Sequence, residues 1–366
     1  MTDVFRARRG VLQQQVKERG IAAVVIGLSS NLRYLTGFID EPGERMLLLI
    51  VPQSGDPAMI VPGLYETQVR GVSSVERMLI WGDSDDPGEL LRDVLRSLPQ
   101  GRVLVDDSLW AQFVLPVQDA AAPRPLGLAS ELLTPLRARK GADEIEAMKT
   151  AGRVADQALE KTLADPILGL SELEVAHRLE SAMMAGGADG IAFETLVASG
   201  ANSALPHYRA GHRKIERGDV VILDFGCRVK GYCSDMTRTV VCGAPSEAIL
   251  RAYDAVRGAH AAGRQRVAPG IDAQDVDRAT RAVLVDAGYG EAFCHRTGHG
   301  VGLDVHEPPY IVEGNRTPLE SGMAFSIEPG AYFEGSFGLR LEDVFVVDSG
   351  GAISMTNAPR DLRVVD

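Results

Sequence analysis

Little in this chain of 366 residues suits an exported, membrane-bound or nucleic-acid-binding protein, because the features those roles need are scarce. Cysteine is rare: Cys227, Cys233, Cys242 and Cys294 form no Cys-x-x-Cys pair and have no small secreted scaffold to staple. They read as reduced thiols of a cytoplasmic protein. Positive charge is in deficit, at a net −12, and no basic stripe or basic patch interleaved with aromatics appears, which argues against nucleic acid as a partner. Long apolar runs are missing as well. The longest, such as MLLLIV at 46–51, are strand-sized, and the opening MTDVFRARRG leads into a polar helix without an apolar signal core, so no membrane span or anchor is expected. Internal repeats and low-complexity segments are also absent.

What remains is enough for two cores, since 45% of the residues are apolar and the length exceeds that of a usual single domain. Residues 3–19 read as a helix and IAAVVIG as a buried strand. Strand and helix signals then alternate through MLLLIVP, AMIVPG, DPGELLRDVLRSL and GRVLVD, an α/β pattern over residues 1–128. The Pro-, Ala- and Gly-rich stretch AAAPRPLGLAS marks the boundary, with the linker placed at 129–140. From Gly141 to the end, four helical patterns are interspersed with strands, giving an α+β domain over 141–366. The second helix is announced by a capping box, Ser171 with Glu174 three residues later.

Five side chains of the metal-ligating kind lie in this second half. In GDVVILDFGCRVKGYCSDMTRTV, two β-branched runs flank Lys230-Gly231, a two-residue hairpin turn. That turn sets Val229 opposite Tyr232 and Gly226 opposite Asp235. Asp224 and Asp235 then share one face as diagonal neighbours, about 7–8 Å apart at the backbone. His299 stands in HRTGHGVGLDVHE, where Gly298, Gly300 and Gly302 promise unusual backbone conformations and close approach of a substrate. Glu328 ends the strand-like MAFSIE before Pro329-Gly330, and Arg340 and Glu342 alternate in GLRLEDVFVV, pointing the same way. One imidazole and four carboxylates are a hard, oxygen-rich set suited to two Mn²⁺ ions, with Co²⁺, Fe²⁺ or Zn²⁺ tolerated. Crowded together without cations, the carboxylates would repel. Each residue alone has a structural explanation, as a turn cap or a core histidine; the joint pattern carries the argument.

These residues give the chain a family resemblance. LPHYRAGHRKIERGDVVILDFGCRVKGYCSDMTRT, GHGVGLDVHEPP, SIEPG and RLEDVFVV resemble the signature stretches of the pita-bread metallopeptidases, in the Xaa-Pro branch of prolidase and aminopeptidase P. RRGVLQQQVKERGIAAVVIGLSSNLRYLTGF is similar to the amino-terminal domain this branch shares with creatinase. Methionine aminopeptidases normally lack such a domain, and creatinase does not keep the five ligands. The resemblance implies that Asp224 chelates one metal, His299 and Glu328 the other, and that Asp235 and Glu342 bridge both. Water between two such cations would lose its proton near neutral pH and attack the scissile carbonyl. Glu328 is further expected to relay a proton, Arg340 to hold Asp235 by a charge-assisted contact, His207 to stabilise the oxyanion and His306 to contact the substrate near the scissile bond.

Around these, His295 is expected to line the pocket, and His212 either to face it or to sit on a loop. Phe193, Tyr208, Val301 and Tyr332 are candidates for a proline slot. The reaction implied is hydrolysis of an Xaa-Pro bond in a small peptide with proline second, dipeptides preferred. Arg45, Arg209 or Arg213 would then meet the substrate carboxylate. The alternatives are aminopeptidase P action on longer peptides and, from another class, a creatinase-like C–N hydrolase or a silent binding module. A homodimer is the assembly the resemblance implies.

Overall fold

The computed structural model describes the backbone of residues 2–366 and side chains from residue 4. Residues group into two compact units, 1–137 and 138–366. The first is the expected α/β unit. Its six strands lie in the order Arg77–Trp81, Ala58–Pro62, Leu48–Pro52, Ala23–Ile26, Val103–Val105, Leu126–Leu128. Every residue of the strands Ala23–Ile26 and Leu48–Pro52 is buried, which is why both read as unbroken apolar runs without a polar alternation. Helix Pro87–Arg96 starts where the sequence says it should: Asp86 caps Gly88 N and Pro87 takes the first turn, where its missing N–H costs nothing. Residues 129–140, expected as a linker, are mostly the helix Ser130–Ala138.

The second unit is built on a sheet whose main path runs Glu307–Ile311, Gly298–Gly300, Ala324–Ile327, Glu342–Asp348, Met236–Cys242, Val220–Phe225, Leu196–Ser199. Alternation along Val220–Phe225 separates two layers. Val221, Leu223 and Phe225 pack with Ala151, Val154, Ala155, Ala158 and Leu159 of helix Ala142–Thr162. Val220, on the other face, packs with Ile249, Ala252, Tyr253 and Val256 of helix Glu247–Arg266. Each fully buried aliphatic side chain contributes roughly 1.5–3 kcal/mol, so the two helical layers hold the sheet from both sides. Ser171 and Glu174 cap helix Glu172–Ala185 reciprocally, as their spacing indicates.

The hairpin that carries the first two carboxylates has the predicted register. Lys230 and Gly231 both take positive φ, 51° and 85°, the mark of a tight turn that matches strand twist. Val229 faces Tyr232, and further along Asp224 faces Thr237. Asp235, two residues before Thr237, therefore shares Asp224's face.

Candidate metal centre

Five consecutive strands of the sheet bring the five ligand-type side chains together. His299 lies within Gly298–Gly300, Glu328 directly follows Ala324–Ile327, Glu342 begins Glu342–Asp348, Asp235 directly precedes Met236–Cys242, and Asp224 is near the end of Val220–Phe225. Antiparallel register makes this work: Ile327 faces Asp343, Glu342 faces Thr237 and Thr237 faces Asp224, so the ligand positions fall in one row across the sheet. All five line a cavity of about 590 Å³. Ligand atoms of Asp235, His299 and Glu342 fall within 4.8 Å of one another.

The glycines around His299 act differently from the expectation. None of Gly298, Gly300 and Gly302 takes a left-handed φ. They are demanded by packing instead: a Cβ on Gly298 would stand 1.9 Å from Ser326 O, and one on Gly300 2.3 Å from Glu307 O. Glycine lets the neighbouring strands close on the His299 strand from both sides.

Electrostatics in this cavity favour cations. His299 Nδ1 lies 3.1 Å from Gly300 O, which places the ring proton there and leaves the Nε2 lone pair facing Glu328 Oε1 at 3.3 Å and Asp235 Oδ2 at 3.7 Å. Burial and then His306 push the His299 pKa down to about 3, so the ring is neutral. Burial, reinforced by Glu342, Asp224 and Glu328, drives Asp235 well above the usual carboxylate range. Burial likewise raises Glu342, and lifts Glu328 to about 7. Asp224 Oδ1 is buried without any partner. A lone pair facing a carboxylate, carboxyls that hold their protons and an orphaned carboxylate oxygen are all resolved by divalent cations among them.

Arg340 does not hold Asp235. Its Nη2 donates to Asp224 Oδ2 at 2.5 Å, its Nη1 to Tyr332 Oη at 2.8 Å and its Nε to Thr237 Oγ1 at 3.1 Å. The reason is a break at Leu341: residues Phe337–Arg340 pair with Gly330–Phe333, and only Glu342 onward joins the large sheet. Burial opposes the charge on Arg340, but Tyr332 and the carboxylates of Asp224, Glu342 and Glu328 outweigh it and hold the pKa well above its ordinary value. Tyr332, expected in a proline slot, is instead a structural link, with its hydroxyl also 3.0 Å from His295 Nε2. Val301 is fully buried and does not line the cavity.

Of the remaining expected residues, His207, Tyr208, Arg209, His295, His306 and Phe193 line the cavity. The His306 ring meets His299 edge-on, 4.0 Å between centroids. Burial, then Arg340, takes His295 down to about 4. Arg209 is exposed and lies 3.4 Å from Glu194. His212 is exposed and outside the lining, and Arg213 is committed to Asp219 at 2.6 Å and Ser199 at 2.7 Å. Arg45 belongs to the first unit, where Glu44 at 2.6 Å and Asp83 at 3.1 Å match its charge. The four cysteines are unpaired; three are buried and Cys294 is exposed.

Two residues passed over in the sequence belong to the site. Thr237 donates to Glu342 Oε2 at 2.6 Å while accepting from Arg340, tying that ligand to the arginine. Its position two residues after Asp235 on the same face was the available signal. Arg296 lines the cavity beside His295, hidden in the sequence by its glycine- and histidine-rich surroundings.

The chain is similar to known proteins along nearly its whole length. A model of metallopeptidase family M24 matches residues 146–349, and one of the creatinase/prolidase N-terminal domain matches residues 8–138. A probable dipeptidase PepE of Mycobacterium tuberculosis is 38% identical over 99% of this chain and 97% of its own length. An Xaa-Pro dipeptidase of Lactobacillus helveticus is 32% identical over 97% of this chain and 98% of its own. The crystal structure of a prolidase from Thermococcus sibiricus superposes with a TM-score of 0.95 at 39% identity, covering 100% of both chains.

Proposed function

We propose that this chain, which belongs to metallopeptidase family M24 and carries a creatinase/prolidase N-terminal domain ahead of its pita-bread catalytic domain, is a two-metal exopeptidase that splits Xaa-Pro dipeptides. The observation that carries the reading is the single cavity on which Asp224, Asp235, His299, Glu328 and Glu342 converge with an orphaned oxygen and an unprotonated Nε2. Asp224 would hold one cation, His299 and Glu328 the other, and Asp235 and Glu342 would be shared. When bound, such a pair supplies Lewis acidity toward the peptide carbonyl and lowers the pKa of water at the site. The hard donor set favours Mn²⁺.

The protein groups do the rest. His207, at the cavity wall, donates to the carbonyl oxygen as charge builds on it. His306, whose pKa partial burial and then Arg296 lower, contacts the substrate beside the scissile bond. Glu328 passes a proton toward the leaving nitrogen. Phe193 and Tyr208 offer the apolar wall a proline ring needs. A bond before proline has no N–H for an ordinary peptidase site to grip, so recognition must come from the ring and the chain ends. The relatives described as an Xaa-Pro dipeptidase and a prolidase support this substrate. Four cysteines without a disulfide support a cytoplasmic setting.

Purified protein assayed with Mn²⁺ on Ala-Pro and on Ala-Pro-Ala, before and after exhaustive chelation, tests the reading. Chelation should abolish hydrolysis and metal return should restore it, with the dipeptide cut faster. Activity that survives chelation removes the metal mechanism, and a strong tripeptide preference removes the dipeptidase assignment.

A further inference from the structure

A second cavity, of about 390 Å³, shares no lining residue with the metal cavity. Arg257, Ala261 and Arg264 contribute from one stripe of helix Glu247–Arg266, at the three- and four-residue spacing of a single helix face. Gly350, Gly351 and Arg360 contribute from later segments. The chain carries a net charge of −12, yet among the described residues this lining holds three arginines and His260 and no carboxylate. The nearest carboxylate behind it is Asp343, which directly follows the ligand Glu342 on one strand. Successive strand residues point to opposite faces, so Glu342 lines the metal cavity while Asp343 meets Arg360 and His260.

The arginines here are under-matched. Arg264 makes no ion pair or hydrogen bond among the described residues, and its guanidinium lies 5.8 Å from the ring centroid of Phe345. Arg360 donates from Nε to Asp343 Oδ2 at 2.6 Å and from Nη2 to Ser354 Oγ at 3.0 Å, which leaves Nη1 unused. Asp343 is shared, because it also accepts from Arg238 Nη2 at 2.7 Å and from the Thr356 hydroxyl. With that carboxylate so occupied, His260 Nε2, 3.1 Å from Asp343 Oδ2, stays buried without an aligned hydrogen bond. Arg257 alone is matched, by Asp254 at 3.1 Å and Asp361 at 2.6 Å. The negative end of the helix dipole accounts for a cation in the last turn, such as Arg264. It has no bearing on Arg360, which comes from another segment.

We infer that this cavity is a binding site for a phosphate group, held by Arg264 and by Nη1 of Arg360, with Arg257 adding attraction at longer range. Guanidinium groups that converge on a pocket free of carboxylates present charged N–H donors to an oxyanion. Phosphate fits better than a carboxylate, since its several oxygens accept from more than one guanidinium at once. The group has two sources, inorganic phosphate and a small phosphorylated molecule. The volume lies within the range of small-molecule pockets, roughly 300–1,000 Å³, and Gln265 with the backbone of Gly350 and Gly351 offers polar partners beyond the phosphate. The site stands whether or not the metal centre cuts Xaa-Pro bonds.

Titration calorimetry of the metal-loaded full chain with inorganic phosphate, ribose 5-phosphate and ribose tests the site. One phosphate per chain should bind, more weakly as salt is raised, because the attraction is ionic and screened. Arg264→Met removes the free cation, and Ala261→Glu adds a carboxylate to the lining; both positions are exposed, so the fold should survive, with the melting temperature as the check. Each variant should weaken both phosphate probes by roughly 10- to 150-fold, the equivalent of a charge-assisted contact. Tighter binding of ribose 5-phosphate than of inorganic phosphate assigns a phosphorylated molecule, and equal binding assigns the free ion. No binding of either probe overturns the site. So does binding that both variants leave unchanged, which would place the phosphate on the metal ions, and so does ribose binding as tightly as its phosphate.

Discussion

Arg340 occupies one oxygen of Asp224, at 2.5 Å, and leaves the other buried with no partner. The arginine thereby fixes which oxygen of Asp224 turns into the cavity, and through Thr237 it reaches Glu342 as well. Two ligands on different strands are thus aimed by one guanidinium.

Arg340→Met should lower turnover about 10- to 100-fold, the usual cost of removing a partner that orients metal ligands. Arg340→Lys should recover little, because a single ammonium cannot reach Asp224, Tyr332 and Thr237 together. Steady-state kinetics with metal content measured in parallel is the check. Wild-type turnover in either variant would show that the orientation of Asp224 is dispensable.

Asp235→Ala and Glu342→Ala should abolish activity by emptying the cation sites, whereas His207→Ala should keep the metals and lose about 10²–10³ in kcat. Elemental analysis of the three variants separates the two effects. Equal metal loss in all three would refute the oxyanion role of His207.

Metal affinity should rise with pH. In the metal-free protein burial holds Glu328 at about 7 and raises Asp235 and Glu342 well above the usual carboxylate range, so incoming cations must expel protons. His299, already neutral above about 3, contributes none. Calorimetric titration with Mn²⁺ should therefore show weaker binding and more protons released at about pH 6 than at about pH 8. Affinity independent of pH across that range would contradict the protonated state of these carboxyls.

Lys140 and Glu307 form a buried ion pair at 2.7 Å, with side-chain exposures of 1% and 7%. Lys140→Met takes the ammonium away from a buried carboxylate and should cost about 3–5 kcal/mol of stability. The double variant Lys140→Met/Glu307→Leu removes both charges and should regain most of that. Urea denaturation of the three proteins decides it; a double variant no better than the single would mean that packing, not charge, governs the position.

Local patterns carried much of the molecule. Lys230-Gly231 fixes a turn, period-2 alternation then fixes every pairing along its two strands, and so Asp224 and Asp235 were placed on one face before any fold was known. The capping box at Ser171 and Glu174 is local for the same reason, since four residues of chain contain all its donors and acceptors.

Tertiary structure alone decided the contacts between segments. Arg340 and Glu342 look like neighbours on one strand, yet the break at Leu341 sends Arg340 to Asp224, 116 residues away. The glycines near His299 signalled freedom of the backbone, but their cause is the carbonyls of Ser326 and Glu307 on adjoining strands. Arg296 reads as one basic residue among glycines until the strand holding Tyr310 is brought beneath it. The sequence determines what each segment is and which way its side chains alternate, because those depend on bonds and neighbours a few residues apart. Which segments meet, and hence which carboxylate an arginine finds, depends on packing of the whole sheet and is set only when the chain has folded.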